Sequence, residues 1–481
     1  MNFRNLIVIL FLFFYFNSNA AKSIISGFAP GAENLNVRLY TKDDYISNKE
    51  RLIANVLIDS LGHFKIELNV YEKQIITAYF RIMDFSSGEI YIPANKTYEL
   101  KFDSFDYKDP NRINVSMLST AQLYFKITNV DSLDINQIIS DFNRDFSACI
   151  IELSGISKNT SSYSFIRPQK NKVDETILSI SEKYSKINNE FFKNYVEYSL
   201  ALLQLNTQSK SRIYLFDKYI YKRPILYDNI AYMDFLSNYF SDFIFGVSKK
   251  IQPYDIVSNI NIKPNLNGLI DSLGKDSMLR NEQLREMVML MNMREWYSYK
   301  AINQDSLIKV LSLYATKTKF DIQSKIAKNL IYMLTRFNKG NELPLFKFKS
   351  IDGDVFTNDS LKNKYTFLLF FTTWSKPCLS ELLVLNELQK KWGDSIRFVG
   401  VAMDWEPLKL YYFLEDNKFN FDIYHFDNDW VLAENLGLVS FPHGIFIDKN
   451  GKIIEYFSPS PSKGLFELFQ KTIEGKTNSK N

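Results

Sequence analysis

The stretch that decides the fold of the C-terminal region reads Tyr365-Thr366-Phe367-Leu368-Leu369-Phe370-Phe371, then Thr372-Thr373, then Trp374-Ser375-Lys376-Pro377-Cys378. The apolar run predicts a buried strand over 365–373, and the pattern at 380–392 predicts a helix after it. Further strands are predicted at 396–403 and 444–447, helices at 407–417 and 465–473, and a hairpin with an Asn-Gly turn at 447–454. This alternation predicts a compact α/β domain over residues 340–478.

Length and composition describe a globular protein of several domains. A chain of 481 residues exceeds one ordinary core, so two or three domains are expected. Hydrophobic residues make up 46% and charged residues 23%, a balance that excludes an intrinsically disordered chain. The net charge of +4 over this length makes no basic patch, so nucleic acid is not an expected partner.

The first residues have the pattern of a secretory signal peptide. A short basic start precedes an apolar run at 6–16, which is too short to span a bilayer comfortably. Ser18-Asn19-Ala20 then fits a cleavage site, so residues 1–20 are predicted to be removed. The protein is therefore expected to be secreted across the inner membrane into the periplasm or cell envelope. An uncleaved membrane anchor is the alternative.

Residues 22–115 have a strand-like pattern. Residues 63–70 alternate polar and apolar, which places Phe64, Ile66, Leu68 and Val70 on one buried face. Two more strands, at 89–92 and 97–102, are predicted to be joined by a turn. Several short strands at this spacing predict a β-sandwich domain.

Residues 118–337 change to the period of helices. Apolar residues recur every three or four positions, as expected for an amphipathic helix, at Tyr184, Ile187, Phe191, Tyr195, Tyr198, Leu202 and Leu205. The segment 326–334 repeats the pattern. The methionine-rich stretch 287–293 is interpreted as core packing rather than a metal or ligand site, because flexible methionines fill irregular gaps. A helical domain is predicted.

Three groups of residues resemble the TlpA/ResA-like branch of the thioredoxin superfamily: Gly340-x-x-x-Pro344-x-Phe346, Trp374-x-x-Pro377-Cys378-x-x-Glu381, and Phe441-Pro442 ahead of Ile445-Phe446-Ile447-Asp448-x-x-Gly451. The segments 284–287 and 326–330 are similar to the helical part that precedes the thioredoxin domain in envelope proteins of Bacteroidetes. Residues 22–115 are similar to the sandwich domains that open such proteins. The resemblance implies a multidomain chain with an N-terminal β-sandwich, a central all-α region and a C-terminal α/β thioredoxin-like domain.

The resemblance implies a thiol-disulfide oxidoreductase site whose motif is degenerate. In the family a nucleophilic cysteine occupies the position of Ser375, at a helix N-terminus, and a second cysteine at the position of Cys378 resolves the mixed disulfide. Glu381 matches the acidic residue that the family keeps near this pair for proton handling. A plain helix-surface carboxylate is an equal alternative for Glu381.

The same resemblance places the substrate groove. Trp374, Pro377, Phe441 and Pro442 are expected to bind an extended protein or peptide, and Pro442 matches the family's cis-proline. The expected partners are protein or peptide clients, among them thiol or disulfide proteins of the envelope. Neither a cofactor nor a metal is expected.

The serine changes the expected chemistry. The hydroxyl of Ser375 has no accessible anion near neutral pH unless a base activates it. By the family geometry the nearest candidate base is His443. The sequence supplies no orienting acid or oxyanion hole, so His443 is interpreted as a polar residue on the rim of the site rather than as half of a hydrolytic pair.

The chain has only two cysteines, Cys149 and Cys378. Cys149 lies in an apolar setting and is predicted to be a buried core residue, with a bridge to Cys378 as a distant alternative. Cys378 follows Ser375 by one helical turn, so its thiol is expected to be less exposed and less favoured by the helix dipole.

Three functions remain open at this point. The first is a binding module that holds an extended peptide by backbone hydrogen bonds without a covalent step. The second is a one-cysteine redox protein that uses Cys378. The third is a peroxiredoxin-like peroxidase, in which Ser375-x-x-Cys378 takes the place of Thr-x-x-Cys. Phe371 stands where that family has a proline, which makes the third function the weakest.

Overall fold

The computed structural model describes residues 20–104, 122–153 and 170–475. Within them the chain forms two compact units, one made of 20–43, 50–104, 122–153 and 170–197, the other of 44–49 and 198–475. Residues 1–19 of the predicted signal peptide, the predicted domain boundary at 115–118 and residues 476–478 lie outside the described residues. Over the described ranges no helix is both long enough and apolar enough to cross a membrane.

The first unit contains two sheets, in the strand orders β4-β1-β7-β9 and β3-β2-β5-β6-β8. Their strands are β1 (Ala20–Phe28), β2 (Asn36–Lys42), β3 (Glu50–Leu57), β4 (His63–Tyr71), β5 (Ile75–Ile82), β6 (Phe85–Pro93), β7 (Thr97–Phe102), β8 (Gln122–Leu123) and β9 (Phe125–Ile127). Strands β8 and β9 lie in the range with the predicted helical pattern, yet β8 pairs with β6 and β9 with β7. The strand-rich part therefore extends to Ile127.

The two sheets pack face to face. Phe64, Ile66, Leu68 and Val70 of β4 are buried between exposed neighbours, which confirms the predicted face. The ring of Phe64 lies 6.4 Å from that of Phe80 in the other sheet, in an edge-to-face arrangement. Contact between the inner faces of two sheets is the geometry of a sandwich.

Helices follow the sandwich: α1 (Ile135–Leu153), α2 (Lys170–Tyr184) and α3 (Glu190–Thr207). The apolar stripe predicted for one helix is divided between α2 and α3. The reason is local, because Asn189 Oδ1 accepts a hydrogen bond from the Phe192 N–H at 3.0 Å and caps a new helix.

The second unit continues with helices and then a mixed sheet. The helices are α4 (Arg212–Tyr219), α5 (Ile230–Phe240), α6 (Pro253–Asn261), α7 (Leu266–Gly274), α8 (Glu282–Trp296), α9 (Gln304–Lys317) and α10 (Asp321–Thr335). Met287, Met289 and Met293 of α8 are fully buried, which confirms that the methionine-rich stretch packs into a core.

The C-terminal sheet has the strand order β11-β10-β14-β13-β12-β15-β16. Its strands are β10 (Lys347–Lys349), β11 (Val355–Thr357), β12 (Tyr365–Phe371), β13 (Ile396–Ala402), β14 (Asp422–His425), β15 (His443–Ile447) and β16 (Ile453–Glu455). The helices are α11 (Lys376–Trp392), α12 (Pro407–Asp416), α13 (Trp430–Asn435) and α14 (Leu465–Glu474). The predicted strands, helices and final hairpin of this region are confirmed.

Strand β12 separates two hydrophobic cores. Leu368 and Phe370 belong to one, which we call the α13 core because it contains Leu432 of α13. Phe367 and Phe371 belong to the other, the α11 core, which contains residues of α11. Alternate strand residues point to opposite faces, so the apolar side chains of residues 367–371 of β12 are divided between the two cores.

One end of this sheet carries the motif. Strand β13 runs parallel to β12, and β15 runs antiparallel to it. The segments that follow Phe371 and Ala402 and the segment that precedes His443 therefore lie at the same end, which we call the motif edge.

Candidate active site

Ser375 is the N-cap of α11. Its φ of −88° and ψ of 113° are extended, and its side-chain oxygen accepts a hydrogen bond from the Cys378 N–H at 3.4 Å. Serine is among the best N-cap residues because a short side-chain oxygen satisfies a free N–H of the first turn. Pro377 fits the same turn, where its missing N–H has no intrahelical partner to lose. The residue in the nucleophile position therefore caps the helix that it begins.

Cys378 lies in the α11 core. Its side chain is fully buried and packs in a cluster with Phe371 and Leu382. The Sγ atom lies 4.0 Å from the Thr372 hydroxyl. A thiol without solvent contact cannot be reached by a disulfide or by an alkylating agent unless the first turn of α11 opens.

Cys149 is the other cysteine. It lies on α1 in the first unit and is half buried rather than in the core, so the prediction of a core residue was wrong. Burial is the main factor that raises the pKa of its thiol. Both cysteines are free.

Glu381 faces the segment that follows β16. Its Oε2 accepts a hydrogen bond from the Ser462 N–H at 2.8 Å, and its Oε1 accepts one from the Ser462 hydroxyl at 2.6 Å. The carboxylate thus ties α11 to the segment that leads into α14. This contact gives Glu381 a structural use that needs no proton transfer.

The predicted groove residues lie at the motif edge. Trp374 is 39% exposed, and the Phe441–Pro442 peptide bond is cis. Phe441 is half buried and packs against both cores of the sheet. Within the described residues, no hydrogen bond joins the backbone groups of 439–441 to any partner. An extended chain passing Trp374 would find free backbone donors and acceptors there.

His443 does not lie on the rim, and that prediction was wrong. It is buried, with its ring 5.0 Å from Tyr456 and 6.4 Å from Phe370. A Cβ built on the next residue, Gly444, would meet Phe367 of the α11 core, so strand alternation directs His443 to the α13 core. Ser375 and His443 thus stand on opposite faces of the sheet, and no hydrolytic pair forms.

Burial also sets the protonation of His443. Desolvation lowers its pKa to about 4, because the surrounding aromatic rings cannot solvate an imidazolium. Within the described residues its Nε2 has no hydrogen-bond partner. The side chain is therefore a neutral component of the core at neutral pH.

A polar cluster beside α11 was missed in the sequence. Asp404, two residues after β13, is buried, and its carboxylate accepts hydrogen bonds from the Thr373 N–H (Oδ2, 3.0 Å) and hydroxyl (Oδ1, 2.8 Å). His425 Nε2 lies 2.6 Å from the Asp404 carbonyl oxygen, and His425 Nδ1 accepts from the Asp427 N–H at 3.0 Å. A signal was available in the sequence, because an acidic residue two positions after a buried parallel strand lies at the motif edge.

Burial dominates the titration of this cluster. It raises the pKa of the Asp404 carboxyl, against the two hydrogen bonds from Thr373, and it lowers the pKa of His425. Across the described stretches, no group of three or more His, Cys, Asp or Glu side chains is arranged to hold a metal ion.

Comparison with known proteins assigns the C-terminal region to a family. A family model described as Redoxin matches residues 338–468. Thiol-disulfide oxidoreductase ResA of Geobacillus kaustophilus is 32% identical over 140 residues, which are 28% of this chain and 78% of that protein. The chain belongs to the ResA-like thiol-disulfide oxidoreductases of the thioredoxin superfamily.

Other proteins match a similar share of the chain. ResA of Bacillus thuringiensis is 27% identical over 135 residues, again 28% of this chain and 78% of that protein. The solved thioredoxin domain of a thiol-disulfide oxidoreductase from Bacteroides vulgatus is 22% identical, with a TM-score of 0.26, over 28% of this chain and 97% of that structure. Each of these matches covers less than a third of the chain.

Proposed function

We propose that the ResA-like domain binds extended protein or peptide segments without a covalent step and has lost dithiol–disulfide exchange. The observation that carries the proposal is the pair of positions 375 and 378: the first is a serine that caps α11, and the second is a thiol with no exposed surface. Exchange needs an accessible thiolate and a resolving thiol one turn away. Neither requirement is met.

The features retained at the motif edge support binding. Trp374 offers a partly exposed aromatic surface, and the backbone groups of 439–441 are free to pair with an extended chain. Main-chain hydrogen bonds supply affinity for many sequences, and an aromatic anchor adds apolar contact. Pro377 and the cis Phe441–Pro442 pair would border the same groove.

The two redox alternatives have less support. A one-cysteine redox protein or a peroxidase needs a thiolate that disulfides or peroxide can reach, and Cys378 is fully buried. Phe371, at the position of the peroxidase proline, is also buried in the α11 core. The binding function is therefore the better match.

Titration of the full chain with an unfolded polypeptide of fully alkylated cysteines, such as reduced and carboxymethylated α-lactalbumin, tests the proposal. We expect saturable binding that Cys378→Ala leaves unchanged and that Trp374→Ala weakens by about tenfold, the usual effect of truncating an aromatic anchor. Leu383→Ala is the matched control, because Leu383 is an exposed apolar residue of the same helix. Absence of binding, or binding that disappears with Cys378, would contradict the proposal.

We also propose that the protein acts outside the cytoplasm, on clients of the cell envelope, after cleavage of residues 1–20. The apolar run and the small residues at 18–20 support this location. N-terminal sequencing of protein from the envelope fraction is expected to begin at Ala21 or Lys22. A sequence that begins at Met1 would show that the segment is retained.

A further inference from the structure

The cluster of Asp404, Thr373 and His425, in which Asp404 and His425 are buried, lies on the α11 side of the sheet. His425 is in register with Ala402, and Ala402 with Phe371, and the last two side chains belong to the α11 core. Thr373 directly precedes Trp374 in the chain. The position of the Thr373 backbone therefore affects the position of Trp374 and of Ser375, the cap of α11.

We propose that Asp404 is a positioning residue for the binding site: its carboxylate fixes Thr373, and through it the orientation of Trp374 and of the Ser375 cap. This inference rests on the proposed function. The Thr373 N–H and hydroxyl both donate to the same carboxylate, so the main chain and the side chain of Thr373 are held together.

His425 holds Asp404 in turn. Its Nδ1 accepts the Asp427 N–H, so the ring proton of the neutral imidazole is on Nε2, which donates to the Asp404 carbonyl oxygen. The backbone of Asp404 is thus fixed on one side while its carboxylate holds Thr373 on the other. A buried carboxylate destabilises a fold unless it is well hydrogen bonded. The presence of this costly group next to the motif therefore favours a functional role for it.

Positioning matters for affinity because a site that is already ordered loses less entropy when it binds. Without the carboxylate, the segment 372–375 would sample several conformations, and the bound peptide would have to select one. The cluster therefore contributes to binding although Asp404 and His425 are themselves buried.

Four variants of the full chain test the inference. Asp404→Asn replaces one of the two carboxylate oxygens that accept from Thr373 with an NH2 group. Thr373→Val removes the hydroxyl donor, Thr373→Ser retains it, and Asp416→Asn is a control at the exposed end of α12. We expect Asp404→Asn to weaken binding of carboxymethylated α-lactalbumin by about tenfold and Thr373→Val by about threefold, factors within the range of the net contribution of a single hydrogen bond. Thr373→Ser and Asp416→Asn should bind as the wild type does.

A second readout separates positioning from a general loss of structure. In protein labelled with 5-fluorotryptophan, the ¹⁹F resonance absent from Trp374→Phe reports on Trp374, and that of the fully buried Trp296 reports on the helical region. We expect Asp404→Asn and Thr373→Val to shift the Trp374 signal toward its position in unfolded protein and to leave the Trp296 signal in place.

Unchanged affinity and an unchanged Trp374 resonance in folded Asp404→Asn would overturn the inference. If Asp404→Asn does not fold, the comparison of Thr373→Val with Thr373→Ser decides, and equal behaviour of those two overturns it. If the wild type binds no polypeptide, the proposed function fails by itself, and the Trp374 resonance still shows whether Asp404 orders the motif edge.

Discussion

Replacement of Ser375 by cysteine is expected to rebuild a redox-active disulfide with Cys378. The substitution changes one side-chain atom at the start of α11 and leaves Pro377 in place. It removes the oxygen that accepts the Cys378 N–H at 3.4 Å, so the reduced variant loses an N-cap worth about 0.5–1 kcal/mol. The new thiol occupies a helix N-terminus, where the dipole favours an anion.

Oxidation should more than offset that loss. Closing a loop of four residues restricts the unfolded chain by about 2 kcal/mol in the loop-entropy relation. The free energy of unfolding of the oxidised variant is thus expected to be about 1 kcal/mol higher than that of the wild type. That of the reduced variant is expected to be about 0.5–1 kcal/mol lower. Ser375→Ala is the control, because it loses the same cap and gains no thiol.

The assays are thiol counting, denaturant unfolding and reduction of insulin, all in a Cys149→Ala background so that only positions 375 and 378 can pair. We expect no free thiols after mild oxidation, a stability gap of about 2 kcal/mol between oxidised and reduced protein, and insulin reduction that the parent protein lacks. If the two thiols stay free under mild oxidation, the active-site interpretation of this motif is wrong. If the disulfide forms without insulin reduction, the groove has been remodelled for binding.

Two further predictions follow from burial. Iodoacetamide should label Cys378 in native Cys149→Ala protein at least about a hundredfold more slowly than in guanidinium, because the thiol reacts only when α11 opens; equal rates would show that it is accessible. The unfolded chain protonates His443 near its ordinary pKa of 6.5, whereas the folded pKa is about 4. Stability is therefore full above pH 6.5 and falls as the pH drops toward 4, by up to about 3 kcal/mol. His443→Leu should flatten this decline, and substitution of the exposed His63 should not; an equal decline in His443→Leu and wild type would assign it to other groups.

Much of the structure of the C-terminal region could be predicted from the sequence, because the patterns that indicate it involve residues close together in the chain. The apolar run of β12, the serine at the start of α11 and the Asn-Gly turn each concern residues a few positions apart, and local periodicity and capping depend on nothing else. The position of Cys378 one turn inside the helix is of the same kind. These features suffice for the fold and for the degenerate motif.

Strand boundaries outside that region were harder to predict. Strands β8 and β9 are only two and three residues long, too short for an alternation to be visible, and their pairing with β6 and β7 is decided by distant partners. The single helix expected from Tyr184 to Leu205 is likewise two helices, because Asn189 caps a new one. The spacing of apolar residues does not reveal this break, since two successive helices can keep the same period.

The sequence by itself determined that a serine begins α11, that a single thiol follows it, and that both lie at the edge of a thioredoxin-like sheet. Each of these features follows from a pattern of neighbouring residues. The tertiary structure alone decided what surrounds them. His443 points to the α13 core because of its register on β15, and Asp404 reaches Thr373 across 31 positions because parallel strands end at the same edge. Register and strand order are properties of the whole sheet, and no local pattern encodes them.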